Sequence, residues 1–203
     1  QYGLMDKPFF EQSMDLLGQL PEPFYVKFIT VANHHPYSLN PDLATIEKAD
    51  TGDSIVDNYF QTVRYADEAL EEFFHYLKES GLYDNSIIIM YGDHYGISTT
   101  HNEAMEKILG TEIGDFESAG LQRVPLFIHI PGTDVGKIDH TYGGQIDLLP
   151  TLLHLLGIDS QDFVHFGTDL FSENHNEVVA FRNGDYVSPE FYHIGDVYYD
   201  TET

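Results

Sequence analysis

The stretch Tyr91-Gly92-Asp93-His94-Tyr95-Gly96 sets a carboxylate beside an imidazole, flanked by glycines, where an apolar run ends. A carboxylate paired with an imidazole suits Mn²⁺ or Zn²⁺ better than Mg²⁺, which favours oxygen and water. Neighbouring side chains on a strand point to opposite faces, but a chain that has left the strand escapes that alternation, so Asp93 and His94 could reach one ion. Two donors alone do not make a tight metal site. A polar loop, with Asp93 capping a turn and His94 in solvent, would be spelled the same way.

Other residues invite weaker readings. Arg182 is one of three arginines and could hold an anion, or form a salt bridge instead. His101 follows His94 by seven residues, close enough to support the site from behind. His75 on a helix, His129 inside a strand and His154 in a leucine-rich helix are better explained by packing or surface solvation.

The elements that would position these groups are written in the apolar pattern. Phe24 to Ala32, rich in β-branched and aromatic residues and followed by Asn33-His34-His35-Pro36, reads as a buried strand ending in a loop. Ile55 to Leu77 carries apolar residues at three- and four-residue spacing and reads as a long amphipathic helix with Gly81 as its stop. Asn85 to Tyr91 is a short apolar strand of the kind covered on both faces of a parallel sheet, which would complete a strand-helix-strand crossover.

A third strand is expected over Val124 to Ile130, ending at Pro131-Gly132. Asp147 would then cap a helix with Pro150 in its first turn, running to Gly157. Beyond Phe171 come short alternating pieces at 178–182, 186–187, 191–194 and 197–199, separated by Asn183-Gly184 and Gly195-Asp196, which read as antiparallel hairpins. Positions 1–203 are therefore expected to form one domain, with an α/β core over 1–176 and edge hairpins over 177–203.

Composition narrows the function class. With 42% hydrophobic residues the chain can bury a core, and 34 acidic against 9 basic residues give a formal charge of -25. That field repels a polyanion, so no nucleic acid partner is expected. A bound divalent cation could still admit a small anionic substrate over the few ångströms that matter. The absence of cysteine excludes thiolate chemistry and tolerates an oxidising exterior. No run approaches the roughly 20 apolar residues that cross a bilayer. Gln1-Tyr2-Gly3-Leu4 lacks an initiator methionine and reads as cut from something longer.

Asp93-His94-Tyr95-Gly96-Ile97-Ser98, with Asn102-Glu103-Ala104-Met105-Glu106-Lys107 just beyond, closely resembles the lipoteichoic acid synthases. Asn33 to Tyr37, Gln145 to Leu153, Phe166 to Phe171 and Phe181 to Asp185 extend the resemblance from about Phe24 to Tyr199. The Gln-x-Asp-x-x-Pro-Thr segment also resembles sulfatases and phosphoethanolamine transferases, so it speaks for fold. The Asp-His-Tyr-Gly and Phe-Arg-Asn-Gly-Asp segments narrow the likeness to glycerol phosphate polymerases.

The resemblance implies an alkaline-phosphatase/sulfatase-like α/β fold, its central sheet largely parallel and flanked by helices, with a small antiparallel C-terminal portion and the amino-terminal half absent. It further implies a metal-dependent transferase that moves glycerol phosphate from phosphatidylglycerol to a glycerol phosphate polymer through a phospho-threonine-type intermediate. Asp93 and His94 would bind one Mn²⁺, with Mg²⁺ or Zn²⁺ as substitutes. His34 would sit in the substrate pocket near the phosphate or leaving oxygen, with His35 and Arg182 as further substrate-binding candidates.

The threonine and its acidic companion would lie in the missing half, which would also carry the membrane contact, so these residues alone are expected to be inactive. The enzyme would work on the extracellular face of the bacterial membrane, or be released from it. The alternatives are a sulfatase-like or phosphodiester hydrolase, and a non-catalytic acidic cell-surface module that binds cations diffusely.

Overall fold

A computed structural model describes residues 3–134 and 136–201. Gln1 and Tyr2, part of the opening segment expected to continue something longer, lie outside the described residues. The elements, in chain order, are α1 (Asp6–Leu17), α2 (Ser54–Glu79), β1 (Ile88–Tyr91), α3 (Asn102–Leu109), α4 (Asp115–Gly120), β2 (Leu126–His129), α5 (Leu148–Leu155), β3 (Val179–Ala180), β4 (Tyr186–Val187), β5 (Phe191–Ile194) and β6 (Val197–Asp200). They fall into two compact units, residues 1–114 with 120–134 and residues 115–119 with 135–203.

In the first unit, α2 begins where the Asp53 carboxylate accepts the amides of Ile55 and Val56, at 2.9 and 3.4 Å. Its buried stripe of Tyr65, Ala69, Phe73 and Leu77 repeats every four residues, and Gly81 ends the turn that follows at φ 77°. Phe10 of α1 stacks on Phe73 with ring centroids 4.6 Å apart, and Phe28 meets both rings edge-on. A second cluster joins Val56 to Ala104 and Met105 of α3, with Ile113 and Ile97.

The segment expected as the first strand joins no ladder. Phe24 and Phe28 turn toward the α1–α2 cluster, and the Asp6 carboxylate takes the Val31 and Ala32 amides at 3.1 and 3.0 Å. With those donors held by a side chain, the expected parallel crossover does not form among the described residues. Instead β1 pairs antiparallel with β2, Ile88 opposite His129 and Tyr91 opposite Leu126. Gly92 then donates its amide to the Pro125 carbonyl, which carries the pairing one residue past Tyr91.

In the second unit, β3 to β6 form an antiparallel meander in sequence order, at the places where hairpins were expected. Val187 and Tyr192 of this sheet pack with Ala119 of α4. Asp147 precedes α5 but does not cap it. Its carboxylate accepts the Gly144 and Thr168 amides, each at 2.7 Å, while the Thr151 hydroxyl donates to the Asp147 carbonyl and accepts the Leu170 amide. The segments 145–151 and 166–170 are thereby clamped together as structure. Among the described residues no helix is long and apolar enough to cross a membrane.

Candidate active site

The site candidates of the first unit gather where β1 ends. Asp93 and His94 leave the strand together, and Asp93 Oδ1 lies 3.7 Å from His94 Nε2. His94 Nδ1 donates to the Tyr95 carbonyl at 2.7 Å, so in the neutral ring Nε2, on the side of the carboxylate, is the nitrogen that can bind a cation. Two donors each about 2.1 Å from one ion sit roughly 3.4 Å apart at a tetrahedral angle, so this pair fits a shared cation. Among the described residues no group of three or more His, Cys, Asp or Glu forms a metal site. The chain thus offers a partial donor set.

His34 approaches from the other loop. Its ring meets that of His94 edge-on with centroids 5.5 Å apart, and its Nδ1 donates to the His35 carbonyl at 2.9 Å, exposing Nε2 in the same way. His35 lines an adjacent cavity of about 290 Å³ together with Tyr37, Ile55, His94, Ser98 and His101. Arg182 belongs to the second unit, exposed on the turn after β3, while the grouping described here is confined to the first.

Several residues hold the two loops in register that the sequence did not single out. Tyr37 is buried at 1% exposure in the left-handed region, φ 58°, a conformation that persists only when its surroundings enforce it. Its hydroxyl donates to the Gly96 carbonyl, and its ring packs edge-on against Tyr59 of α2 at 5.1 Å. Burial pushes the Tyr37 and Tyr59 hydroxyls above their ordinary range, so both remain neutral donors. The Thr62 hydroxyl lies 2.8 Å from both the Asn33 side-chain oxygen and the Tyr59 carbonyl, which ties the His34 loop to the same helix.

Gly96 is required by space: a Cβ there would lie 2.6 Å from the Tyr59 hydroxyl oxygen. Behind the cavity, His101 Nδ1 bonds Asp53 Oδ2 at 2.7 Å across 48 positions. The His101 bond holds the Asp53 carboxyl below its ordinary range against a smaller opposing effect of burial, with the Ile55 and Val56 amides adding to it. The arrangement presents one carboxylate and imidazole lone pairs on rigidly tied loops. That is chemistry for a cation and for proton exchange with an oxygen bound between the loops.

The family model described as Sulfatase matches residues 1–158. Lipoteichoic acid synthase 1 of Bacillus subtilis (strain 168) is 58% identical over 99% of this chain and 31% of that protein. Lipoteichoic acid synthase 2 of the same strain is 54% identical over 100% of this chain and 31% of that protein. The lipoteichoic acid synthase of Staphylococcus aureus (strain USA300) is 51% identical over 97% and 30%. The chain therefore spans about a third of the length of these curated relatives.

A protein in the alkaline phosphatase superfamily from Vibrio parahaemolyticus superposes with a TM-score of 0.65 at 23% identity, over 98% of this chain and 46% of that one. At that identity it speaks for the fold alone, and it agrees with the α/β class expected from the sequence.

Proposed function

The chain belongs to the sulfatase family, and from that premise we propose that it carries part of the catalytic centre of a metal-dependent phosphoglycerol transferase, one that moves glycerol phosphate from phosphatidylglycerol onto a lipoteichoic acid chain. The observation that carries this reading is the convergence of Asp93 Oδ1 and His94 Nε2 at the end of β1, with the His34 ring edge-on beside them. Asp93 and His94 would hold Mn²⁺, with Mg²⁺ or Zn²⁺ as substitutes. Bound there, the ion supplies positive charge against the phosphoryl oxygens.

The chain's own residues do the positioning. His94, its tautomer fixed by the Tyr95 carbonyl, offers one nitrogen in one direction. His34, tied likewise to His35, presents Nε2 to exchange a proton with the leaving oxygen or to hydrogen-bond a phosphoryl oxygen once protonated. The Tyr37–Gly96 bond keeps the two loops at working distance, which matters because about 1 Å of misplacement can cost a hundredfold in rate.

The threonine nucleophile and the remaining metal donors are assigned to segments outside these 203 residues. The 31% share of the relatives' length supports this. Those segments would also provide the membrane contact at the extracellular face. The isolated chain is accordingly expected to be inactive.

The test is Mn²⁺-dependent release of diacylglycerol from phosphatidylglycerol by the full-length protein, alongside calorimetric Mn²⁺ titration. Asp93→Ala and His94→Ala are each expected to abolish both signals. Retained single-site Mn²⁺ binding in both variants would overturn the assignment. The family model's description gives a second reading, ester hydrolysis, its own observation; cleavage of a sulfate ester with no diacylglycerol release would establish that instead.

A further inference from the structure

The Asp53–His101 pair at the back of the cavity takes no part in the scheme above, and its geometry is that of a binding group. Both Asp53 oxygens are committed, Oδ1 to the amides of Ile55 and Val56 and Oδ2 to His101 Nδ1. In the neutral imidazole, a carboxylate so placed holds the ring proton on Nδ1 and leaves Nε2 as a lone-pair acceptor. His101 lines the same cavity as His94, and its side chain is only 21% exposed.

What such a nitrogen recognises follows from charge and lone pairs. A phosphate or carboxylate brings further lone pairs and negative charge toward an imidazole backed by Asp53, and is disfavoured. A hydroxyl brings a proton and no charge, and is favoured. Around it, Tyr37 and Ile55 offer carbon surface, and Ser98 offers a hydroxyl that is 2.7 Å from that of Thr100. A cavity of about 290 Å³ is at the small end for ligand sites, the size for a short polyol unit.

We propose that His101, oriented by Asp53, is a specificity residue that accepts a hydrogen bond from a hydroxyl of a glycerol unit bound in this cavity. The proposal rests on the phosphoglycerol reading and deepens it. That hydroxyl has two sources in the reaction, the headgroup of the lipid donor and the free end of the acceptor.

The test uses the full-length enzyme with Mn²⁺ and two matched pairs of compounds: phosphatidylglycerol against phosphatidylpropanol as donor, and glycerol against 1-propanol as acceptor. Diacylglycerol release reads the donor pair, and partition of the phosphoryl group between alcohol and water reads the acceptor pair. The unmodified enzyme is expected to prefer the hydroxylated member of at least one pair by roughly tenfold or more. His101→Ala should bring that preference close to unity while leaving the propyl compound's rate and Mn²⁺ binding unchanged.

Asp53→Asn is the companion variant. Its side-chain oxygen keeps the helix cap while its amide faces His101 Nδ1, which moves the ring proton to Nε2 and removes the acceptor. It should reproduce the loss with α2 intact. Loss in the donor pair assigns the hydroxyl to the lipid headgroup, and loss in the acceptor pair assigns it to the growing chain. Preference retained in both pairs, or a fall of both members of a pair together with Mn²⁺ binding, overturns the proposal. Absence of diacylglycerol release from the unmodified protein would sink the phosphoglycerol reading and the dyad's role with it.

Discussion

Gly96→Ala isolates the joint between the two site loops. A Cβ at this position would stand 2.6, 2.7 and 2.8 Å from the hydroxyl oxygen, Cε2 and Cζ of Tyr59, where ordinary carbon contacts begin near 3.5 Å. The overlap is about 1 Å, and the ring cannot swing aside freely because Tyr37 and Phe60 pack on it edge-on at 5.1 and 5.4 Å. Overpacking of this kind costs about 1–3 kcal/mol. The strain should also pull the Gly96 carbonyl off the Tyr37 hydroxyl and loosen the Asp93–His94 loop.

Urea denaturation measures the first effect and calorimetric Mn²⁺ titration the second, with weaker binding expected. The same substitution in a Tyr59→Leu background, where the clashing ring edge is gone, should cost at least about 1 kcal/mol less, a coupling expected only of residues in contact. A cost below about 0.5 kcal/mol with Tyr59 in place, the range of an ordinary surface change, or an equal cost in both backgrounds, would refute the steric argument.

Two further outcomes are expected elsewhere in the chain. Thr151→Val should destabilise by about 1–3 kcal/mol in thermal melts, because the half-buried Leu170 amide loses its acceptor on the buried Thr151 side chain, while Ser at this position should retain most of the stability. Asp6 should make stability depend on pH: burial raises its carboxyl above the ordinary 3.8 against the lowering pull of the Ala32 and Val31 amides, and Oδ2 is buried without a partner. The folded state therefore holds this proton more tightly than the unfolded chain. The ionised form costs stability above the folded pKa, and that cost is relieved as pH falls toward the unfolded value. Relative to Asp6→Asn, the wild type should gain stability from pH 7 to pH 4, and a flat difference over that range would refute the assignment.

The sequence made most elements legible because their apolar pattern matched their period. In α2 the buried residues repeat every four positions and the cap Asp53 stands just before them, so periodicity and chemistry agree. The segment from Phe24 to Ala32 has strand-like composition, yet Phe24 and Phe28 serve the helix cluster and Asp6 takes the last two amides, facts that lie outside the segment itself. Asp147 misled for the same reason: a short acid before a helix reads as a cap, and only the tertiary approach of Thr168 reveals its other use. At the site, Asp93 with His94 was visible because the residues are adjacent. Tyr37 with Gly96 and Asp53 with His101 are 59 and 48 positions apart and carry no local signal.

The formal charge of -25 would oppose an anionic substrate if charge acted uniformly, but distance and screening decide otherwise. At physiological ionic strength exposed charges fade over about 8 Å. The carboxylates of α2 that contribute to the total, Glu71, Glu72 and Glu79 among them, are exposed to that screening. Around the cavity the balance is closer: two carboxylates, Asp53 and Asp93, stand among His34, His35, His94 and His101. A single divalent cation on Asp93 and His94 would offset both of these charges. On the proposed reaction, overall charge would govern how fast a phosphate-bearing polymer is met and the local set whether one phosphoryl group is held, so removing Asp93 should weaken binding of the ion far more than removing the exposed carboxylates of α2.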